Sequence, residues 1–333
     1  PLNAIAGIDS KNYLYRGWNY LLSNHTHDAN GGCAPDEVCS DMQYRYRKAN
    51  DIAEIVAEDA MVHIAKNLSP DGQKEDVLQL IVFNTLPFER DVIAKLDLEV
   101  PETFGSGIEI DGVQIQPIMT EKSSVFVDSI WEVPTILEST HHNIYAALKN
   151  IPAMGYKTFE IKPKKAKNIN KVFTSGCNTI ENEKLAVLVN SNGTVDVTNK
   201  TTGKTYKDLN YFTSQGEVGN AWKHVAPDFD KKYSSMGANA KISVSEMGEL
   251  VSSITVDLEF YVPKDCEKVQ NRELVAIPIK IKYTLEKNSD SLRVEVLLNN
   301  TAKDHWLRAN FKTDIDTQYS VADSHFDIVK RNI

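Results

Sequence analysis

The period of the apolar residues changes once along this chain, and that change restricts the fold more than any single motif does. From Lys11 onward, Leu14, Trp18, Leu21 and His25 recur at spacings of four, three and four, which places them along one side of a helix. A second helix is expected to begin near Pro35, because a missing N–H costs nothing in the first turn and Asp36 and Glu37 suit the positive end of the helix dipole. Val38, Met42, Ala49, Ile52, Val56, Ala60 and Ile64 then return at spacings near 3.6, with Tyr46 covering one gap. Carried to Leu68, this helix is about 50 Å long. "SPDGQ" at 69–73 breaks it, and afterwards the period is two. "LQLIVFNTL", "VIAKLDLEV", "SSITVDLEFYV", "IPIKIKYTLEK" and "LRVEVLLNN" are β-branched runs, several of them alternating. "EIDGVQI", "VNSNGTVDV" and "EMGEL" supply turns with glycine where a hairpin needs positive φ. After residue 75 there is no helical pattern long enough for βαβ crossovers. The expected fold class is therefore α+β: a short helical hairpin over residues 1–70, then a large antiparallel β-sandwich over 71–333.

Charge and composition narrow the partners. Asp and Glu outnumber Lys and Arg by 46 to 37, a net charge of −9 that repels phosphate backbones, so nucleic acid is not an expected partner. The lysine-rich "KPKKAKNINK" at 162–171 reads as a solvated connection within the sandwich, with a polyanion site as the minor alternative. No run approaches the roughly 20 apolar residues that cross a bilayer, and "PLNAIAGIDS" has neither the basic nor the apolar part of a signal peptide, so no membrane partner is expected. Cys33, Cys39, Cys177 and Cys266 show neither CxxC spacing nor a disulfide framework, which suggests reduced thiols in a cytoplasm. Because Pro1 is followed so closely by a helix, the chain is expected to be a piece of a longer protein.

Few stretches could carry chemistry. In "SNHTHDANGG", His25, His27 and Asp28 are good zinc ligands by type, but zinc needs three or four. Two histidines two apart point the same way only in extended chain, so the residues alone favour a polar helix end with Gly31 and Gly32 allowing the turn. His141 and His142 in "STHHNIY" read as exposed loop histidines with no carboxylate nearby. His325 and Asp327 in "DSHFDI", with Asp323 close, have the HxD spacing of many metal sites, although a β-edge turn explains them equally well. GxSxG, P-loop, GxGxxG and CxxC patterns are absent, and no carboxylate pair can be singled out among 46 acidic residues.

Five ordered stretches resemble one family. "LLSNHTHDANGGCAPDEVCSDM" is similar to the helix, "NHPHDSICGC" or "HHDAIxGT" stretch and "DEV" of the class II α-mannosidases, glycoside hydrolase family 38. "VFNTLPFERD", "IPAMGYKTFEI", "IENEKLAVLVNSNGTVDVTNKTTGKTY", and finally "NTAKDHWLRANFKTDI" with "ADSHFDIVKR", resemble later segments of the same family in the same order. The resemblance implies that the helical hairpin is the remnant of a three-helix bundle. It also implies a galactose-mutarotase-like super-sandwich, truncated at its C-terminal end.

The family's site residues carry over onto few positions. In these enzymes zinc is held by a histidine and an aspartate of an upstream barrel, by the nucleophilic aspartate, and by the second histidine of the HHD or HPHD stretch, which here is His27. The following aspartate contacts sugar hydroxyls and is Asp28 here. "GNAW" resembles a stretch whose aromatic lines the sugar pocket, which marks Trp222, with a core role as the alternative. Asn30 departs from the family by replacing an apolar residue. Zinc in this role binds two adjacent mannose hydroxyls as the ring flattens toward an oxocarbenium-like transition state, and retaining hydrolysis needs two carboxyl groups roughly 5 Å apart. Both sit on the barrel in the family, so no catalytic residue is expected in this chain.

The resemblance thus implies a C-terminal part of a zinc-dependent retaining α-mannosidase. Its partners are a mannose-containing oligosaccharide or glycoside and an upstream barrel of the same polypeptide, without which it is inactive. The spelling "NHTHD" suggests a bacterial, cytoplasmic enzyme, and the subunit count stays open, a homo-oligomer included. A non-catalytic carbohydrate-binding or assembly module is the alternative, and a small metalloprotein using His25, His27 and Asp28 alone a third.

Overall fold

The computed structural model describes residues 2–68, 78–129, 132–164, 176–220 and 223–333. The chain forms two compact units, Pro1–Lys171 with Asn220–Lys223, and Val172–Gly219 with His224–Ile333. The turn at 69–73, the expected boundary at 70/71 and the lysine-rich run from residue 165 onward lie outside the described residues.

The first unit opens with four helices, α1 (Leu2–Ala6), α2 (Lys11–Ser23), α3 (His27–Asn30) and α4 (Asp36–Leu68). As the spacing implies, α2 and α4 form a hairpin. Gly17 of α2 faces Ile52 of α4, where an added Cβ would be in ordinary contact with Ile52 Cγ2 at 3.4 Å. Burial along α4 deepens toward its end, at Val56, Ala60 and Ile64, whereas Leu14 and Trp18 of the α2 stripe are exposed.

Six strands follow: β1 (Leu78–Asn84), β2 (Arg90–Pro101), β3 (Ile108–Ile110), β4 (Gln114–Ser129), β5 (Glu132–Ile151) and β6 (Gly155–Pro163). They form two antiparallel sheets, in the orders β1-β6-β3 and β2-β5-β4. Their apolar sides meet in one core that includes Val100, Ile110, Ile144, Leu148, Phe159 and Ile161. Each such side chain contributes about 1.5–3 kcal/mol on leaving water. Pro117 is accommodated because β4 is an edge strand and the ladder shifts between Pro117 and Met119. The ladder of β2 on β5 ends at Pro101 opposite Ser139, and beyond it Ser124–Val127 of β4 pair with Thr135–Glu138 of β5 with no third strand among the described residues.

The second unit contains β7 (Thr179–Glu181), β8 (Leu185–Val189), β9 (Val195–Asn199), β10 (Thr205–Leu209), β11 (Tyr211–Gly216), β12 (Tyr233–Ser234), β13 (Lys241–Glu246), β14 (Val251–Pro263), β15 (Leu274–Glu286), β16 (Arg293–Leu298), β17 (His305–Asn310), β18 (Tyr319–Ser324) and β19 (Asp327–Asn332). Its sheets run β10-β9-β8-β7, β12-β11-β17 and β13-β14-β15-β16, with β18-β19 as a hairpin. The alternation expected of β14 and β15 is realised: Val256, Leu258, Phe260 and Val262 point inward beside Ile277, Ile279, Ile281 and Tyr283. The inward sides of β7, β8, β9 and β11 cover the same core, which gives the unit its sandwich form. Gly112 and Gly193 adopt the positive φ that the turn signals require.

Tyr283 ties this core to a turn. Its hydroxyl donates to Gly193 O at 2.8 Å and accepts from Asn210 Nδ2 at 3.0 Å, and burial pushes its pKa up to about 12.

Candidate functional site

The tip of the helical hairpin is fixed from beneath by Asn24. This residue follows α2, is fully buried, and donates from Nδ2 to Met42 O at 2.9 Å while its Oδ1 accepts from Arg45 Nη1 at 3.4 Å. Thr26 then begins the single turn of α3, closed by Asn30 N donating to Thr26 O and Gly31 N donating to His27 O at 3.0 and 2.9 Å. Cys33 Sγ donates to Asp28 O at 3.4 Å, and Gly32, at φ +69°, turns the chain toward Pro35. Only Ala29 of α3 is buried, so it anchors the turn from below. Asn30, the departure from the family pattern, is exposed and accepts from Tyr46 OH at 3.4 Å. A polar contact to α4 thus serves where an apolar residue would pack.

This scaffold presents His27 and Asp28 together. His27 Nε2 lies 3.2 Å from Asp28 Oδ1, and the side chains are 94% and 73% exposed. Neither is committed to packing. His25 precedes the turn, is exposed, and closes α2 by donating its backbone N–H to Leu22 O at 3.0 Å. Among the described residues, no group of three or more His, Cys, Asp or Glu side chains is placed to hold a metal ion. Among the described residues, the tip does not by itself supply the three or four ligands a zinc ion needs.

His141 and His142 depart from the sequence expectation. They lie inside β5, and carboxylates do stand nearby, supplied by β2 and β4. His141 Nδ1 is 2.8 Å from Glu99 Oε1 and its Nε2 3.5 Å from Asp97 Oδ1, with Glu121 opposite on β4. The hydrogen bond to Glu99 raises the His141 pKa, and the bond from Ser139, more than that from His141, holds Glu99 below the usual carboxylate range. His142 points the other way, is buried, and sits 3.1 Å from Thr120 Oγ1; desolvation lowers its pKa.

His325 and Asp327 occupy the β18–β19 turn, where Phe326 has φ 58° and Asp327 Oδ1 accepts the Ile328 N–H at 2.7 Å. The hairpin accounts for their spacing. Trp222 lies outside the described residues.

The second unit contains a polar cluster that sequence reasoning missed. Glu217 Oε1 accepts backbone N–H groups of Gly219 at 2.7 Å and Val225 at 3.0 Å, and its Oε2 bonds His224 Nδ1. Those bonds, the Val225 N–H foremost, lower its pKa. The His224 ring lies 4.3 Å from Trp306, and the Arg308 guanidinium is 4.0 Å from the same indole. Arg308 also donates to Gln215, and Gln215 donates to Asp230 at 2.9 Å. Beside Trp306, the partly buried His305 contacts Ser214 Oγ at 2.8 Å and Asn300 Oδ1 at 3.0 Å, and desolvation lowers its pKa. The exposed tryptophan of "DHWLR" is the one signal that could have marked this cluster.

Residues 180–333, from β7 through β19, match the family model for the glycosyl hydrolases family 38 C-terminal domain. The match covers most of the second unit and is a similarity to that domain. Consistent with it, the chain is similar to "Putative mannosylglycerate hydrolase" of Halalkalibacterium halodurans, at 22% identity over 94% of this chain and 40% of that protein. Among solved structures, an alpha-mannosidase from Enterococcus faecalis V583 superposes with a TM-score of 0.88 at 20% identity, covering 99% of this chain and 42% of the other. A glycosyl hydrolase family 38 protein from Enterococcus faecalis gives the same TM-score at 21% identity, over 100% and 45%. These likenesses show that the fold is shared, and the chain spans 40–45% of the length of each of these proteins. Among the described residues no helix is long and apolar enough to cross a membrane.

Proposed function

We propose that this chain is the C-terminal part of a zinc-dependent retaining α-mannosidase acting on terminal α-mannosides. The observation that carries the reading is the paired exposure of His27 and Asp28 on a turn whose base is fixed by Asn24. His27 offers an exposed imidazole as one ligand of a zinc ion, whose chemistry when bound is to clamp two adjacent mannose hydroxyls. Asp28 would accept a hydrogen bond from a hydroxyl beside it, and the 3.2 Å contact limits how far either group can swing. The remaining zinc ligands, the nucleophile and the acid/base would come from an upstream barrel of the same polypeptide, so this chain alone would be inactive.

The similarity to a protein named for mannosylglycerate extends the substrate class to small α-mannosides as well as oligosaccharides. The test is release of the leaving group from an aryl α-mannoside by the longer polypeptide, with and without chelator. His27→Ala should abolish the zinc-dependent rate and lower the bound zinc. Because the side chain is so exposed, the same change should alter stability by less than about 0.5 kcal/mol. Full activity in that variant would sink the assignment.

A further inference from the structure

The outward face of the β13-β14-β15-β16 sheet carries an open cleft of about 960 Å³, a volume within the range of small-ligand sites. Its floor is laid by the positions of β14 and β15 that alternate with the core: Asp257, Glu259 and Tyr261, with Pro278 and Lys280 on the neighbouring strand. Residues 237–239 bound it on the β13 side and residues 297–299 on the β16 side. Tyr261 is 51% exposed, its partner across the ladder is only Ala276, and its hydroxyl donates to Glu259 Oε2 at 2.6 Å, so the ring shows a bare face in one fixed orientation. With Pro278 and the exposed Leu297 it forms an apolar surface on which the C–H face of a pyranose can pack.

The charges of the lining cancel. Lys280 Nζ lies 3.7 Å from Asp257 Oδ1, Lys241 stands opposite Asp257 on β13, and Glu259 brings the second carboxylate. Two carboxylates and two ammonium groups thus supply hydrogen-bond acceptors and donors without net charge, which gives neither an anion nor a cation an advantage. We propose that this cleft binds a neutral oligosaccharide, with one ring stacked on Tyr261 and its hydroxyls bonded to Asp257, Glu259 and Lys280. A protein segment laid over the same floor would strip water from four charged groups, whereas sugar hydroxyls replace that water bond for bond. The choice of a mannose probe rests on the function proposed above; the cleft itself does not.

Isothermal titration of the 333-residue chain with a linear α-mannotriose, in the presence of chelator, tests the site. The expected dissociation constant is roughly 0.1–1 mM, the weak affinity of an open, wet cleft. Tyr261→Ala removes a half-exposed ring without opening the core and should weaken binding roughly tenfold or more. Phe229→Ala, at an 80% exposed ring elsewhere in the second unit, should leave it unchanged. Trigalacturonate, an anionic sugar of the same length, should bind more weakly than mannotriose. No heat of binding at roughly 10 mM mannotriose overturns the proposal, as do binding unaltered by Tyr261→Ala and equal binding of trigalacturonate. The titration needs neither zinc nor hydrolysis, so a failure here leaves the catalytic reading standing, and a failure of that reading leaves a measured affinity at the cleft intact.

Discussion

Replacing Tyr283 by Phe should destabilise the second unit by far more than one oxygen atom suggests. The ring keeps its place, so no cavity forms and the loss is confined to hydrogen bonding. The hydroxyl serves two buried partners, Gly193 O at 2.8 Å and Asn210 Nδ2 at 3.0 Å. Asn210 is itself buried and holds φ 63°, and its Oδ1 has no hydrogen-bond partner among the described residues. The substitution therefore leaves a carbonyl and an amide without their phenol partner, at about 1–1.5 kcal/mol each, or about 2–3 kcal/mol together. Because the chain has two units, a single unfolding curve would blur the effect. Native-state hydrogen exchange of β14 and β15 peptides, followed by mass spectrometry, reports this unit directly. Protection there should fall roughly 30- to 150-fold. A fall of less than about twofold would refute the assignment of this hydroxyl as a buried link, because such a link cannot be lost for under about 0.5 kcal/mol.

Gly193→Ala should cost about 2–4 kcal/mol in the same measurement. The residue sits at φ +85°, and a Cβ would lie 2.9 Å from Leu258 Cδ2 and 3.0 Å from Val256 Cγ1. In the first unit, NMR titration should show His141 titrating above its ordinary 6.5, and Glu99→Gln should return it toward that value. Its raised folded pKa makes the His141 contribution fully present below 6.5 and lost as pH rises through the raised value. Glu99 behaves oppositely, contributing above its ordinary 4.5 and fading as pH falls through its lowered value. The pair should therefore stabilise the sheet most between pH 4.5 and 6.5, and an unshifted His141 would refute the contact.

Local signals made the helices and the β14–β15 pair legible. Pro35 with Asp36 and Glu37 marks the start of α4, and alternation over residues 254–262 marks a strand with one buried face. What depends on strand pairing was not legible. His141 looked isolated because Glu99 lies 42 residues away in sequence and reaches it only through the β2–β5 ladder. At the hairpin tip, physics alone weighs His27 as one ligand where zinc needs several, and only resemblance across many residues lends it a role.

Glu217 has a further consequence. Its carboxylate takes the Gly219 and Val225 N–H groups and His224, while Val218 N donates to Val225 O at 2.9 Å. Loss of this one carboxylate would therefore free the Gly219 and Val225 sides together and release the His224 ring that lies 4.3 Å from Trp306.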